Sequence, residues 1–258
     1  VNIVKNKKKL PFKILAGIIA LALIFCILLL TNGLVGNPIS RIFANKAMKQ
    51  YVNKNYSSLD LEIGTIEYNF TDGAGSYMGK AKSKTSIDTK FDIYYRNGKV
   101  QRDDYKTAVL GMFNTTQRLQ KEYSAAAKDI LVKKLKYNNL TVGVGFQEGK
   151  SKPKLDVKFD KSLFSNAYVL INFNSSDDSI AAIAKVLTDI NKVFVDNDYN
   201  FNKYSLQIQT GSTNYIMVEN VTPADIEGDE LLNLLQKSKN KRSESGMIVH
   251  YINTNPSK

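Results

Sequence analysis

The chain has one cysteine, one histidine and no tryptophan in 258 residues. Cys26 lies inside an apolar run, so the remainder has no disulfide to form and must rest on its own core. With His250 as the only histidine, neither a three-histidine nor a His-Glu-His zinc site can be built, and no thiolate is available beyond residue 26. A Ser-His-Asp triad would have to recruit His250, and no Gly-x-Ser-x-Gly elbow supplies its serine. His250 sits between Val249 and Tyr251 in a segment expected to be the terminal strand, and we read it as structural. No glycine-rich phosphate loop is present. Acidic residues are also missing from one place: none occurs among the first 36 residues.

That same stretch holds the strongest signal. Lys5, Lys7, Lys8, Lys9 and Lys13 precede seventeen consecutive apolar or small residues, Ile14 to Leu30. As a helix the run is about 26 Å long. Leu34 and Val35 extend it toward the roughly 30 Å of a bilayer core. In lipid the backbone must satisfy itself, which requires a helix. The lysines place the N-terminus in the cytoplasm. The expected topology is residues 1–12 as a cytoplasmic basic tail, 13–35 as a transmembrane signal anchor, and the rest outside the cell. The run is longer than the apolar region of a cleaved signal, and Thr31-Asn32-Gly33 is a poor cleavage match. Phe25 before Cys26 does not fit a lipoprotein signal. Val1 is read as a start codon translated literally, so the expected chain is full-length.

Beyond the anchor the charge stays positive, with interspersed signs and no long basic block. A solvated surface is the plain reading, and attraction to anionic wall polymers or headgroups the sharper one. An exported domain without a basic-aromatic motif is not expected to bind nucleic acid. Abundant Asn, Lys, Ile and Tyr with no Trp fits an AT-rich bacterial genome, read here as Gram-positive. Asn55, Asn69, Asn114, Asn139, Asn174 and Asn220 match the glycosylation pattern only as such a composition would by chance.

The exported part reads as α+β. Asn37-Pro38 is a helix start, a capping side chain followed by proline at the first position. Ile39, Ile42, Phe43, Ala47 and Tyr51 predict the apolar face of that helix. Strands are expected at Leu59 to Phe70, broken near Gly64, then at Ser76 to Thr85, Lys90 to Tyr95 and Lys99 to Arg102. Asn97-Gly98 is a strong hairpin signal, because both residues tolerate positive φ. Residues 37–102 thus form a helix plus an antiparallel meander. Residues 103–136 read as a long linking helix, with an interruption near Gly111 or Asn114. Residues 138–258 read as a second antiparallel α+β sandwich in the order β-β-β-α-β-β-α-β. Its strands are centred on Leu140 to Phe146, Leu155 to Phe159, Tyr168 to Phe173, Tyr204 to Ile208, Tyr215 to Val218 and Met247 to Ile252. Glu148-Gly149-Lys150 is the turn between the first two. One helix is capped by Ser175-Ser176-Asp177, and another spans Pro223 to Lys237.

Several of these segments resemble the YfjL-like family of Gram-positive membrane proteins. They are the anchor running into Gly36-Asn37-Pro38-Ile39-Ser40, then Leu59-Asp60-Leu61-Glu62-Ile63 with Tyr68-Asn69-Phe70. Asp103-Asp104-Tyr105, Thr116-Gln117-Arg118-Leu119 and Glu122-Tyr123 complete the set. The likeness is densest over residues 10–130. It implies a single-pass membrane protein with an exported two-part domain, and it brings no activity and no catalytic residues.

The remaining constellations are weighed residue by residue. Asp196 to Asn202 places oxygen ligands at alternate positions, like the start of a calcium loop. Phe201 stands where that loop needs glycine and Gln207 where it needs glutamate. A helix-to-strand turn rich in Asn is the better account. Asp103-Asp104, Asp177-Asp178 and Asp229-Glu230 are read as acids at helix starts. Tyr94-Tyr95, Tyr123, Tyr168, Tyr199 and Tyr204 could line a sugar or peptide groove, but tyrosines in sheets usually pack. No catalytic, cofactor-binding or metal-binding residue is assigned, and no cofactor is expected. The expectation is a membrane-anchored exported protein, not an enzyme. It would bind through an extracytoplasmic domain, with the lipid bilayer as partner through residues 13–35 and an anionic cell-wall polymer or another envelope protein as ligand. The alternative is a carboxylate-dependent cell-wall hydrolase, which needs two acids facing each other across a cleft.

Overall fold

The computed structural model describes residues 9–147, 153–164, 166–243 and 246–254. It divides into two compact units, residues 1–113 and 114–258. Both are α+β, and each is built on its own sheet.

Unit 1 opens with helix α1, Lys9–Val35. Its described large apolar side chains, from Phe12 to Ile27 and at Leu30, are exposed. Among the described residues no helix is long and apolar enough to cross a membrane. Gly36, at φ 78°, turns the chain into α2, Pro38–Asn55. The expected cap is present: the Asn37 Oδ1 accepts from the Ile39 amide at 2.8 Å. The buried face of α2 differs from the expected one. Ala44, Met48 and Val52 are buried, with Ala47 and Tyr51 beside them, whereas Ile39, Ile42 and Phe43 are exposed. Helical spacing defines two adjacent apolar stripes here, and the one that faces the sheet carries the smaller side chains.

Four antiparallel strands follow in sequential order: β1 Leu61–Tyr68, β2 Tyr77–Ser83, β3 Lys90–Arg96 and β4 Lys99–Asp103. The register of β1 slips between Ile63 and Ile66, at the predicted break near Gly64. Asn97 and Gly98 both take positive φ, as a two-residue hairpin turn requires. Gly79 lets α2 approach β2 closely, since a Cβ there would stand 2.5 Å from Ile66 Cδ1 and 2.7 Å from Met48 Sδ.

The helix expected over 103–136 is interrupted near Gly111, as the sequence suggested, and only its second part is a long helix. Asp103 ends β4, residues Lys106–Leu110 make one π turn, and Met112 takes a φ of 61°. Helix α3 runs only from Phe113 to Lys134, so nearly all of it belongs to unit 2. The break follows from Gly111, whose amide bonds the Lys106 carbonyl and so widens the turn.

Unit 2 continues with β5 Asn138–Phe146, β6 Ala167–Asn174, α4 Ile180–Val195, β7 Lys203–Gln209 and β8 Asn214–Val221. Two short helices, α5 Pro223–Glu227 and α6 Leu231–Lys237, lead to β9 Ile248–Asn253. The sheet order is β5-β6-β7-β8-β9. It is mixed, not wholly antiparallel, because β6 and β7 pair in parallel. The 16-residue α4 carries the chain back between them as a crossover, the connection a parallel pair needs.

The strand expected at Leu155 to Phe159 does not exist. Asp156 takes positive φ, and the Val157 carbonyl accepts from the Arg118 guanidinium at 2.7 Å. That carbonyl is therefore taken by helix α3 and not by a sheet ladder. Its predicted turn, Glu148-Gly149-Lys150, lies outside the described residues. The expected helix from Pro223 to Lys237 is two helices, the first closed by Gly228 after a Thr222–Asp225 capping box. Helix α4 is capped by Ser179, not by the Ser175-Ser176-Asp177 stretch.

Candidate functional site

The paired acids of the sequence diverge. Asp103 Oδ2 accepts the hydroxyls of Tyr51 at 2.5 Å and Tyr56 at 2.7 Å, while its Oδ1 accepts the Tyr105 amide at 3.0 Å. Burial, and then the bonds to Asp103, push both phenols above their ordinary pKa. Asp104 faces a different set: the Tyr94 hydroxyl at 3.1 Å and Arg102 Nη1 at 3.3 Å. Successive residues at a strand end point to opposite faces, which explains the split. The pair does stand at a helix start, as expected: Asp103 Oδ1 accepts the amide of Tyr105, where the helical turn begins, and the Asp104 carbonyl accepts the amides of Thr107 and Ala108.

Arg102 anchors a small hollow of about 220 Å³ that includes Asp72, Ser76, Tyr94, Tyr95 and Arg96. Several of its polar groups are engaged with one another. The guanidinium lies 3.5 Å above the Tyr94 ring and 3.6 Å from Asp72, and Gln101 Nε2 donates to the Arg96 carbonyl. This arrangement fastens the β3–β4 hairpin to the turn that precedes β2.

A larger hollow, about 570 Å³, lies in unit 2. That is within the usual size range of small-ligand sites. One wall is the end of α3 and the segment after it, with Lys134, Leu135, Lys136 and Tyr137. The other is the first part of α4, with Ala182, Lys185, Val186 and Asp189. The sequence builds these walls for local reasons. Lysines favour the last turn of a helix, as Lys133 and Lys134 show, and Ser179 caps α4 by accepting the Ala182 amide at 3.1 Å. Tyr137 stacks near Phe173, with ring centroids 4.7 Å apart, and burial raises its pKa, helped by the nearby Asp189.

The charges of this hollow fall into two sets. Lys185 is paired with Asp189 at 2.7 Å, and Asp177 accepts the Ser179 amide, which holds its carboxyl below the usual range. Lys134 and Lys136 are exposed and form no ion pair among the described residues. The hollow thus offers two unengaged ammonium groups beside the apolar side chains of Leu135, Ala182 and Val186. Such a surface can hold an anionic group.

The other sequence candidates have structural places. Tyr123 and Tyr204 are core residues, and burial lifts the Tyr123 phenol to about 12. Tyr199 and Tyr95 are also buried, and Tyr94 belongs to the Arg102 cluster. Tyr168 is 40% exposed and lies across Gly145 of the edge strand, where a Cβ would meet its ring at 2.2 Å. His250 pairs with Met217 in the last strand. Asp196 to Asn202 ends α4 and leads to β7, and the Lys161 ammonium sits on it, 2.8 Å from the Asn197 carbonyl and 3.7 Å from Asp198. Of the side chains that suggested calcium, Asp198 is thus approached by a cationic group. Glu230 precedes α6 and accepts from Asn233. Among the described residues no group of three His, Cys, Asp or Glu is placed to hold a metal.

Sequence reasoning missed Lys134 and Lys136. They read as part of an interspersed surface charge, and the hollow joins segments some forty residues apart. No curated protein and no solved structure matches the chain. Residues 11–104 match the YfjL-like, N-terminal domain and residues 122–236 match the YfjL-like C-terminal domain. The two matches fall in the two structural units, in the same order. The chain belongs to the YfjL-like family.

Proposed function

We propose that the chain is a membrane-anchored, exported binding protein. Residues 1–12 are cytoplasmic, 13–35 cross the bilayer and both folded units lie outside. Unit 2 takes an anionic ligand, a cell-wall polymer or an acidic envelope protein, in the hollow edged by Lys134 and Lys136. The anchor is supported by the uninterrupted apolar sequence Ile14 to Leu30 behind five lysines, and by exposed apolar side chains along α1 that the chain itself leaves uncovered. The binding reading rests on one observation: two lysines without ion partners on a hollow whose other charges are engaged. The carboxylate-hydrolase alternative is weakened by Asp103 and Asp104, whose oxygens are committed to tyrosines and to Arg102.

Protease added to wall-stripped cells should digest both units, and full protection of a C-terminal tag would reverse the topology. The full chain in detergent should be retained on isolated cell wall. Retention should fall with added salt and in a Lys134→Glu, Lys136→Glu variant. Steady release of soluble sugar or peptide, abolished by a single Asp or Glu substitution that leaves folding intact, would replace binding with hydrolysis.

A further inference from the structure

The first turns of α2 present an apolar surface that unit 1 leaves uncovered. Ile39, Ile42 and Phe43 are 63%, 68% and 59% exposed, and Phe70, in the short 3-10 turn after β1, is 68% exposed. Single exposed apolar residues are ordinary, but these are grouped. Ile39, Ile42 and Phe43 stand three and four apart, so they form one stripe. The stripe begins just after α1 ends, and the turn carrying Phe70 is in contact with α1.

The joint between α1 and α2 is fixed. The Tyr77 hydroxyl accepts the Asn37 amide and donates to the Asn37 carbonyl, each at 2.8 Å. Gly36 lies against the Tyr68 ring, where a Cβ would be 2.5 Å away. Hence the stripe is held in a set place, within about 12 Å of the end of α1 at 1.5 Å per residue. Helix α2 also carries Arg41, Lys46, Lys49 and Lys54 and no acidic residue. Arg41, Lys46 and Lys49 are exposed and form no ion pair among the described residues.

We infer that unit 1 is seated on the membrane, not merely tethered to it. Given the anchor proposed above, on which this inference rests, Ile39, Ile42, Phe43 and Phe70 enter the boundary between headgroups and acyl chains. Lys46 and Lys49, on the same side of α2 as the stripe, lie on anionic headgroups. Helices that lie at this boundary bury their apolar side about 5–10 Å deep, a depth the stripe can reach. Basic side chains beside it add attraction to an anionic surface. A second copy of the chain is the competing occupant. A two-fold contact through this stripe would bring the two pairs of Lys46 and Lys49 together with no acid on either helix to offset them.

The test uses the full chain, with Cys26→Ser as background, in vesicles of phosphatidylcholine with and without phosphatidylglycerol. An environment-sensitive fluorophore is attached in turn to Ile24→Cys, Ile42→Cys and Asn53→Cys, and lipids carrying spin labels serve as quenchers. Blue-shifted, quenched emission at positions 24 and 42, with water-like unquenched emission at 53, is the expected pattern. Quenching at position 42 should increase with phosphatidylglycerol and drop in a Lys46→Glu, Lys49→Glu variant, while quenching at 24 stays unchanged. Quenching at 24 with water-like emission at 42 would leave the anchor standing and overturn the seating. Blue-shifted but unquenched emission at 42 would overturn it in favour of a protein cover, a second copy included. No quenching at 24 would remove the anchor itself, and the seating with it.

Discussion

The two units solve the same problem with different materials. Among the described residues unit 2 gathers 26 buried apolar residues into one cluster, centred on the rings of Phe194, Phe201, Tyr199, Tyr204 and Tyr123. Among the described residues the corresponding cluster of unit 1 has ten. Unit 1 adds hydroxyl and charge contacts that clamp its elements: Tyr51 and Tyr56 of the α2 region hold Asp103 at the end of β4, and Tyr77 holds the start of α2. A smaller core gains less from burial, so bonds between distant elements take a larger share. Unit 2 has such bonds as well, Tyr204 to Asn191 at 2.8 Å, Asn191 to Glu227 at 3.2 Å and Arg118 to the Val157 carbonyl at 2.7 Å, but beside a core more than twice as large.

The largest expected effect breaks the apolar side of this contrast. Phe194 is fully buried, with Phe201 at 4.8 Å and Tyr199 at 5.5 Å between ring centroids. Phe194→Ala should cost unit 2 about 3–5 kcal/mol. Hydrogen exchange should show the loss within residues 114–258 and leave amides of β2 and β3 protected. Equal loss of protection in both units would mean that they unfold together.

Next comes the polar side. Tyr56→Phe removes a bond to a carboxylate and should destabilise unit 1 by about 1.5–3 kcal/mol. Tyr51 and Tyr56 share Asp103 Oδ2, so the double variant should not be additive. In unit 2 the matching change, Tyr204→Phe, breaks a bond between neutral groups and should cost about 1 kcal/mol. Denaturant titrations of the three variants decide this. Equal costs for Tyr56→Phe and Tyr204→Phe would remove the distinction between the units.

Gly79 sharpens the comparison from the packing side. An alanine methyl there must displace both Ile66 Cδ1 and Met48 Sδ, where α2 packs on β2. Both are side-chain ends that can shift, so Gly79→Ala should destabilise by about 1–2 kcal/mol, toward the low end for overpacking. Gly143 has open space at its Cβ position and serves as the control in unit 2. A chemical melt in which both variants behave alike would show that the α2–β2 approach is loose.

What the sequence disclosed follows the same physical line. Local signals were legible: the Asn37 cap, the Asn97-Gly98 turn, the slip near Gly64 and the alternation of Leu140 to Phe146. Each depends on a few neighbouring residues. Features that depend on distant partners were not legible. Arg118 takes the Val157 carbonyl from 39 positions away, and a strand expected from alternation becomes a strap. The parallel pairing of β6 with β7 depends on which way α4 returns, which periodicity does not encode. Ile39, Ile42 and Phe43 read as a core face because helical spacing does not say which of two apolar stripes meets the sheet. The site was hidden for the same reason. Lys134 and Lys136 differ from other surface lysines only in which charges around them are already paired.

The smallest expected effect concerns acid. Asp160 and Asp177, both in unit 2, accept bonds from the amides of Ser162 and Ser179, and those bonds lower their folded pKa values. A lowered folded value means that the charged form is favoured in the folded state. The resulting stability is present above the ordinary aspartate pKa of about 3.9 and disappears as the pH falls through the folded values below it. Both groups are exposed, so water and salt screen the effect and it should be small. Stability of the full chain followed by denaturant at falling pH should decline in this window, with the change located by hydrogen exchange near Ser162 and Ser179. An Asp160→Ala, Asp177→Ala variant should start lower above the window and decline less within it, so that the two curves converge at the acid end. Parallel curves would show that these two carboxylates do not carry the acid sensitivity of unit 2.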